Sequence, residues 1–247
     1  MYTTTVKADE CGVFLLTRKI MYGIILRELY NFVGCVYHAV KGKKDCYTNT
    51  FSVRRTVKLL EERIIKDGIV LPGNILKVGS FLNHMLDVQL LIAMGEEVKR
   101  LYAGSQITKI VTVESSGIAI ATAFGAVMNL PVVFAKKYKT LNVSGDVYTA
   151  PVHSYTHNKD YTMTVEKQYI QSTDKLLLVD DFLANGEALR GLLKIAKEAG
   201  ASVTGAAIAI EKGFQHGGDA LRNEGVRIES LAVIESMEDG KVYFRNA

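Results

Sequence analysis

A regular pattern of hydrophobic and polar positions begins at Val57 and continues to the end of the chain. The segment "VKLLEERIIKDG" has apolar residues at 57, 59, 60, 64 and 65 with charges between them, and Gly68 ends it. The segment "DVQLLIAMGEEVKRLYAG", which ends at Gly104, repeats this spacing more strongly. Apolar residues three and four positions apart form one face of a helix, and glycine commonly follows a helix end. The pattern therefore predicts two amphipathic helices.

After Gly104 short apolar runs alternate with helical segments. The predicted strands are "KIVTVE", "PVVFAKK", "YTMTVEKQYI", "KLLLVDD", "SVTGAAIAIE" and "RIESLAVIESM". The predicted helices are "GIAIATAFGAVMN" and "GEALRGLLKIAKEAG", and "GGDALRNEG" is a short helix or turn. Strands that alternate with helices are typical of a parallel sheet covered on both faces. We therefore predict an α/β fold with flanking helices.

The first 56 residues differ from the rest in pattern, cysteine content and charge. They have no sustained helical or strand period, and they hold all three cysteines, Cys11, Cys35 and Cys46. An odd count without CxxC spacing favours neither a disulfide framework nor a zinc site. The segment has nine lysines and arginines against four acidic residues, whereas the remainder has 21 against 22. We therefore predict an atypical N-terminal extension at residues 1–56 and a regular domain at residues 57–247.

Composition narrows the class of protein. The chain has 247 residues, of which 48% are hydrophobic and 23% charged, as in an ordinary globular protein. Its apolar runs fall well short of the roughly 18 residues that suggest a membrane-spanning helix. We therefore expect a cytoplasmic protein with no membrane partner. The net charge of +4 comes from residues 1–56, so basicity does not predict that the domain binds nucleic acid.

Two adjacent acids, Asp180 and Asp181, end the apolar run "KLLLVDD", and the loop "ANGEA" at 184–188 then opens a helix. Ligands of open α/β sheets bind beyond the carboxyl ends of the strands. Small residues at a helix N-terminus let backbone N–H groups approach an anion. Carboxylates for hydroxyls beside a phosphate loop suit a phosphorylated sugar. The alternative is a plain strand, turn and helix with an aspartate cap. We favour a functional site, because two acids on a buried strand are otherwise unfavourable.

This arrangement resembles the phosphoribosyl pyrophosphate (PRPP) motif of type I phosphoribosyltransferases, and "VDDFLANGEA" resembles its form in the xanthine branch of the family. Five further segments resemble the family in order: "ILKVGSFLNHMLD", "TKIVTVESSGIAIA", "PVVFAKK", "EAGASVTGAAIAIEKGFQ" and "VRIESLAVIESMEDGKV". The resemblance covers residues 57–246. It implies a parallel-sheet phosphoribosyltransferase fold with a mobile hood loop.

The resemblance implies a PRPP site on both sides of the two acids. Asp180 and Asp181 would be the catalytic residues that hold the ribose hydroxyls, directly or through metal. The loop that would wrap the 5-phosphate consists of Ala184, Asn185, Gly186, Glu187 and Ala188. Asn185 stands where many relatives have threonine. The Glu187 carboxylate would repel phosphate, so we expect it to point away and to offer only its backbone N–H.

The pyrophosphate of PRPP would meet Ser115 and Ser116 in the segment "VESSGIA" and the cations Lys136 and Lys137 after the next strand. From the residues alone, either serine could instead cap the following helix, and either lysine could be a solvated surface residue. Residues 138–160 are too long for a bare connector and correspond to the hood of the family. We do not expect the histidines of this segment to be catalysts.

Base recognition would involve Leu76 and Asn83 in "ILKVGSFLNHMLD" and Lys212 in "IAIEKGF". An asparagine offers both a donor and an acceptor, as a base edge requires. A lysine donor suits the carbonyl oxygens of a dioxopurine better than the amino group of adenine. Simple core packing is the alternative for Leu76, and a surface position is the alternative for Lys212.

The resemblance implies transfer of the 5-phosphoribosyl group from PRPP to xanthine, which gives XMP and pyrophosphate in purine salvage. We expect Mg²⁺ as the cofactor, held mainly by PRPP and not by a protein metal site, and a homodimer. One alternative is a PRPP-sensing transcriptional regulator in which residues 1–56 bind DNA, although they lack a convincing recognition-helix pattern. The other is guanine or hypoxanthine as the base. Because Val57 stands where the family begins, and a valine codon can start translation, we also hypothesise that residues 1–56 are not native.

Overall fold

The protein is described from a computed structural model at residues 50–137, 146–154 and 159–245, with backbone alone at 50–57, 154 and 159. Its contacts divide the chain into two units, Met1–Ser52 and Val53–Ala247. The predicted extension therefore lies outside the described residues, apart from the start of the first helix. The architecture below is that of the second unit.

Six strands form the central sheet: β3 (Lys109–Val113), β4 (Val132–Ala135), β7 (Lys175–Leu183), β8 (Ser202–Lys212), β9 (Ile228–Glu238) and β10 (Lys241–Phe244). Their spatial order across the sheet is β10, β9, β8, β7, β3 and β4. Neighbouring strands are parallel except β9 and β10, which form an antiparallel edge. Two antiparallel hairpins lie outside this sheet, one made of β1 (Ile69–Leu71) and β2 (Ile75–Lys77), and the other of β5 (Val147–Ser154) and β6 (Lys159–Glu166).

Helices cover both faces of the sheet, which confirms the predicted α/β class. They are α1 (Thr50–Asp67), α2 (Val88–Leu101), α3 (Ser116–Met128), α4 (Glu187–Glu198) and the short α5 (Gly217–Asn223). Buried residues of α1, α2 and α3, among them Ile64, Met94 and Phe124, pack in one apolar cluster with Leu177 of β7. The second cluster joins α4 to the β5–β6 hairpin. Because β3, β7 and β8 are parallel, their carboxyl ends lie at the same edge of the sheet.

Local chemistry explains where these helices begin and end. Asp87 precedes α2, and its carboxylate accepts a hydrogen bond from the Leu90 N–H at 3.1 Å, which caps the helix. Asn129 ends α3 in a left-handed conformation. No helix among residues 50–137, 146–154 and 159–245 is long and apolar enough to cross a membrane.

The structure differs from the predicted elements at three places. Helix α1 begins at Thr50 and not at Val57, because neither glycine nor proline interrupts the intervening residues. Part of the expected loop 138–160 is strand β5, whose apolar alternation is confined to the buried Ala150 and Val152 around Pro151. The sequence pattern also failed to predict the four-residue edge strand β10.

Candidate active site

Asp180 lies on β7 where the strand leaves the core. The strand is buried from Leu176 to Asp180, and Asp180 itself is only 7% exposed. Its Oδ1 accepts a hydrogen bond from the backbone N–H of Asp181 at 3.0 Å. Burial and the charge of Asp181 raise the pKa of Asp180 well above its usual range, and the cation of Lys137 opposes this rise. The site thus contains a carboxylate that has lost its hydration and gains from an added cation or hydroxyl donor.

The loop after β7 surrounds a cavity of about 130 Å³ that also reaches Asp180. Residues 184–188, the complete predicted phosphate loop, line this cavity. Gly186 has φ of 88°, a left-handed conformation that favours glycine, and α4 begins at the next residue. The structure therefore brings Asp180 and the loop at a helix N-terminus to one concave surface, as expected for an anion site.

The segment at the end of β3 lies against Asp180. A Cβ placed on Gly117 would lie 2.2 Å from Thr112 Oγ1 and 3.5 Å from Asp180 Oδ1. The peptide bond between Glu114 and Ser115 is cis. Ser115 occupies the N-cap position of α3, but its side chain makes no capping hydrogen bond, and it is exposed. Its hydroxyl is therefore available to a ligand.

The two candidate lysines have different surroundings. Lys137 Nζ lies 5.3 Å from the ring centroid of Tyr161, a residue that lines the Asp180 cavity. The backbone of Lys136 exchanges hydrogen bonds with that of Thr164, and its side chain lines a separate cavity of about 290 Å³ beside Phe134. The structure thus places Lys137, and not Lys136, beside Asp180.

Lys212 and Leu76 are both linked to the cavity through Phe182. Lys212 Nζ donates to the carbonyl of Asn74 at 2.9 Å and lies 5.7 Å from the Phe182 ring centroid. Burial lowers the pKa of Lys212. Leu76 is 7% exposed and belongs to the apolar cluster against which Phe182 packs. Because Phe182 also lines the Asp180 cavity, it joins the candidate base residues to the candidate PRPP residues.

Asn83 stands apart from these residues in the structure. It is exposed at the end of a π-helical turn, Gly79–Asn83. Its Oδ1 is 4.0 Å from the position of a Cβ on Gly79. The described contacts do not bring Asn83 to Lys212 or Leu76.

Six further residues line the cavity, and the sequence analysis assigned a binding role to none of them. They are Val152, His153, Tyr161, Phe182, Leu183 and Leu189. Burial and the charge of Asp180 raise the pKa of Tyr161 to about 12, so the phenol stays protonated as a hydrogen-bond donor. His153 Nδ1 lies 2.6 Å from Asp160 Oδ1. Only the position of Phe182 directly after the two acids could have indicated its role.

Comparison with known proteins decides the family. Xanthine phosphoribosyltransferase of Ligilactobacillus salivarius is 54% identical over 188 residues, which are 76% of this chain and 98% of the relative. Xanthine phosphoribosyltransferase 2 of Clostridium botulinum is 52% identical over 190 residues, 76% of this chain and 100% of the relative. The chain belongs to the xanthine phosphoribosyltransferase family. No general family model matches it.

Solved phosphoribosyltransferases share the fold of this family member. Adenine phosphoribosyltransferase of Giardia lamblia, in complex with 9-deazaadenine, superposes with a TM-score of 0.61 at 21% identity, over 72% of this chain and 98% of that one. Adenine phosphoribosyltransferase of Trypanosoma brucei, in complex with AMP, pyrophosphate and ribose-5-phosphate, superposes with a TM-score of 0.60 at 18% identity. The match covers 70% of this chain and 78% of that one. These likenesses establish the fold and confirm the predicted parallel-sheet phosphoribosyltransferase architecture.

The side chains of the site suit a metal ion that is bound together with a ligand. Within residues 50–137, 146–154 and 159–245, no three or more His, Cys, Asp or Glu side chains are grouped as metal ligands. Asp180 and Asp181 are adjacent carboxylates, and the raised pKa of Asp180 means that a nearby cation would favour its ionised form. Their oxygens are the ligands that Mg²⁺ prefers. The residues present therefore fit a cation shared with a phosphorylated ligand.

Proposed function

We propose that the protein transfers the 5-phosphoribosyl group of PRPP to xanthine, with XMP and pyrophosphate as products. One observation carries the proposal: in a chain of the xanthine phosphoribosyltransferase family, Asp180 and the whole loop at 184–188 line one cavity. That cavity combines the Asp180 carboxylate, which suits hydroxyl groups, with a helix N-terminus that suits phosphate. The family membership favours an enzyme over a PRPP-sensing regulator.

Each part of PRPP has a partner in this proposal. Asp180 and Asp181 accept hydrogen bonds from the ribose hydroxyls, and the backbone N–H groups of residues 184–188 bind the 5-phosphate. Ser115, Ser116 and Lys137 bind the pyrophosphate, since the segment at the end of β3 lies against Asp180. We assign no direct contact to Lys136, because its side chain lines the other cavity.

The reaction is a substitution at the anomeric carbon. A ring nitrogen of xanthine attacks as the bond to pyrophosphate breaks, and positive charge develops on the ribose. In this proposal the carboxylates of Asp180 and Asp181 stabilise that charge, and Lys137 stabilises the leaving group. Mg²⁺, when bound with PRPP, supplies further neutralisation of the pyrophosphate charge. Tyr161 and Val152, which line the cavity, exclude water that would hydrolyse PRPP.

Lys212 and Leu76 form the base subsite, with Asn83 as a further partner from the π-helical turn. The Lys212 ammonium donates to a carbonyl oxygen of xanthine, and Leu76 packs against the ring. Adenine presents an amino group at the corresponding edge, which cannot accept from an ammonium. The geometry therefore favours an oxopurine. We also expect a homodimer in the cytoplasm, and light scattering of the purified protein tests the assembly.

The test is a product assay with purified protein, PRPP, Mg²⁺ and each purine separately. Xanthine should give XMP, with guanine and hypoxanthine as weaker substrates and adenine inert. Lys212→Met, which keeps length and removes charge, should reduce kcat/KM for xanthine by about 100-fold or more. Lys136→Met is the matched control and should retain most activity. Binding of PRPP without product from any purine would overturn the proposal and direct attention to a sensing role.

A further inference from the structure

A buried carboxylate belongs to neither of the two proposed subsites. Glu211 is 1% exposed at the end of β8, directly before Lys212. Arg222 donates to both of its oxygens, at 2.8 Å and 2.6 Å, and the Ser230 hydroxyl donates to Oε2. Burial alone would raise the pKa of Glu211, but these hydrogen bonds hold the pKa below its ordinary value. The Glu211 side chain is therefore ionised at neutral pH.

This carboxylate fixes the position of the short helix α5. Arg222 lies on α5, whereas Glu211 and Ser230 lie on β8 and β9. A Cβ on Gly218 would lie only 2.1 Å from Glu211 Oε1, so the α5 backbone rests directly on the carboxylate. The bidentate pair and this close approach together leave α5 little freedom relative to β8.

Helix α5 in turn supports the phosphate loop. A Cβ on Gly217 would lie 2.1 Å from the carbonyl oxygen of Ala184 and 2.5 Å from the carbonyl carbon of Asn185. A Cβ on Gly186 would lie 2.9 Å from Cδ1 of Leu221, a fully buried residue of α5. The backbone of the loop therefore has α5 as its direct neighbour. A shift of α5 would move the N–H groups that face the cavity.

Stability alone gives no strong reason for such a pair. The desolvation of a buried ion pair can cancel the attraction between its charges, and apolar residues often replace such a pair without loss of stability. We propose that Glu211 is a positioning residue for PRPP binding. Through Arg222 and α5 it keeps the backbone of the loop at 184–186 in the position that binds the ligand. This inference rests on the proposed function. It assigns Glu211 an effect on PRPP binding without contact with the ligand.

The chain offers a matched control for Glu211. Glu97 is 4% exposed, and Arg100 donates to both of its oxygens at 3.0 Å and 2.8 Å, but this pair lies within α2. Glu211→Gln and Glu97→Gln each remove one buried charge opposite an arginine. Steady-state kinetics with PRPP and xanthine, together with the rise in Tm that saturating PRPP causes, should be measured for both variants.

Glu211→Gln should raise KM for PRPP by about tenfold, shrink the Tm rise caused by PRPP, and change KM for xanthine by less than about twofold. Glu97→Gln should leave both KM values within about twofold of the wild type. Arg222→Lys, at a partly exposed position, keeps the charge, loses the bidentate geometry and should shift KM for PRPP in the same direction. It serves as the test if Glu211→Gln does not fold.

Equal behaviour of Glu211→Gln and Glu97→Gln would overturn the positioning role. A wild-type protein that binds PRPP but forms no XMP would overturn the proposed function instead. In that case the Tm rise caused by PRPP still distinguishes the two variants, so the two failures are separable.

Discussion

At the residue scale, Asp180 is a carboxylate in a place that disfavours its charge. The folded state holds its proton more tightly than the unfolded state, because burial and Asp181 raise the pKa. Stability therefore falls as the pH rises from about 4, the unfolded value, through the folded pKa, and the loss is complete above it. At neutral pH, above the unfolded pKa, this rise reduces the stability of the fold, so we infer that Asp180 is retained for its function.

Asp180→Asn should therefore stabilise the protein and inactivate it. We expect a loss of about 100-fold or more in kcat/KM, since a carboxylate at the reacting ribose is removed. Tm should rise by about 2–4 °C for each 1 kcal/mol gained. Urea unfolding of both proteins at about pH 5 and pH 8 should show the larger gain at the higher pH. A gain independent of pH would contradict the electrostatic cause.

At Gly117, a close approach to Thr112 leaves no room for a side chain. The Thr112 hydroxyl beneath Gly117 is fully buried and has no hydrogen-bond partner among the residues that the structure describes. Gly117→Ala would place a methyl group 2.2 Å from that oxygen, so the loop at Ser115–Ser116 must move away from Asp180. We expect about 1–3 kcal/mol of destabilisation from the overpacking and about a tenfold rise in KM for PRPP. Urea unfolding and PRPP titration measure both effects.

A second substitution isolates the cause of that effect. Thr112→Ala removes the oxygen and leaves the Thr112 Cβ, 3.6 Å from the methyl position, as the contact from that residue. The double variant Gly117→Ala, Thr112→Ala should therefore recover most of the lost affinity for PRPP. If the double variant is as impaired as Gly117→Ala, the close contact with Thr112 is not what requires a glycine.

At the element scale, the β5–β6 hairpin packs on α4 through a glycine. A Cβ on Gly191 would lie 2.7 Å from Val152 Cγ2 and 2.9 Å from Met163 Sδ. Both residues are buried in the hairpin, and Val152 also lines the Asp180 cavity. The distance between α4 and the hairpin therefore sets the width of the candidate PRPP site.

Gly191→Ala should push the hairpin outward and raise KM for PRPP by about fivefold. The stability change should be small, because alanine favours the helix by about 1 kcal/mol and this offsets part of the overpacking. Gly95→Ala is the control, since its Cβ would meet Phe124 and Val127 on the other face of the sheet. An unchanged KM for Gly191→Ala, or the same rise for Gly95→Ala, would show that the hairpin distance is not critical.

Some elements of the fold and the site could be predicted from the sequence, and others could not. Strand β7, helix α4 and the loop between them have strong local signals, so the position of Asp180 beside the loop was predictable. The contribution of β5 and β6 was not, because Tyr161 and Val152 meet the loop only through long-range packing on α4. The difference between Lys136 and Lys137 depends on the bridge that the Lys136 backbone forms with Thr164 of β6, which adjacent lysines do not reveal. Asn83 was assigned by resemblance alone and stays a prediction.

At the scale of the whole molecule, the chain is longer than its matched relatives. Matches of 188 to 191 residues cover 98% to 100% of three relatives but only 76% of this chain. The candidate site residues lie between Leu76 and Lys212. The buried residues of α1, Leu60 and Ile64, also follow Val57. About 190 residues therefore hold the parts on which the proposed reaction depends.

We accordingly predict that a chain of residues 57–247, with an added initiating methionine, folds and retains activity. Its kcat/KM for xanthine should stay within about twofold of the full chain and its Tm within about 3 °C, because Leu60 and Ile64 keep α1 in the core. Leu60→Ala in the shortened chain is the control that should cost about 2–5 kcal/mol. Loss of activity on shortening, with the fold intact by circular dichroism, would show that residues 1–56 serve the reaction.

The mass of the chain made from its own promoter decides separately whether these residues are native, since a chain that keeps Met1 contradicts a start at Val57.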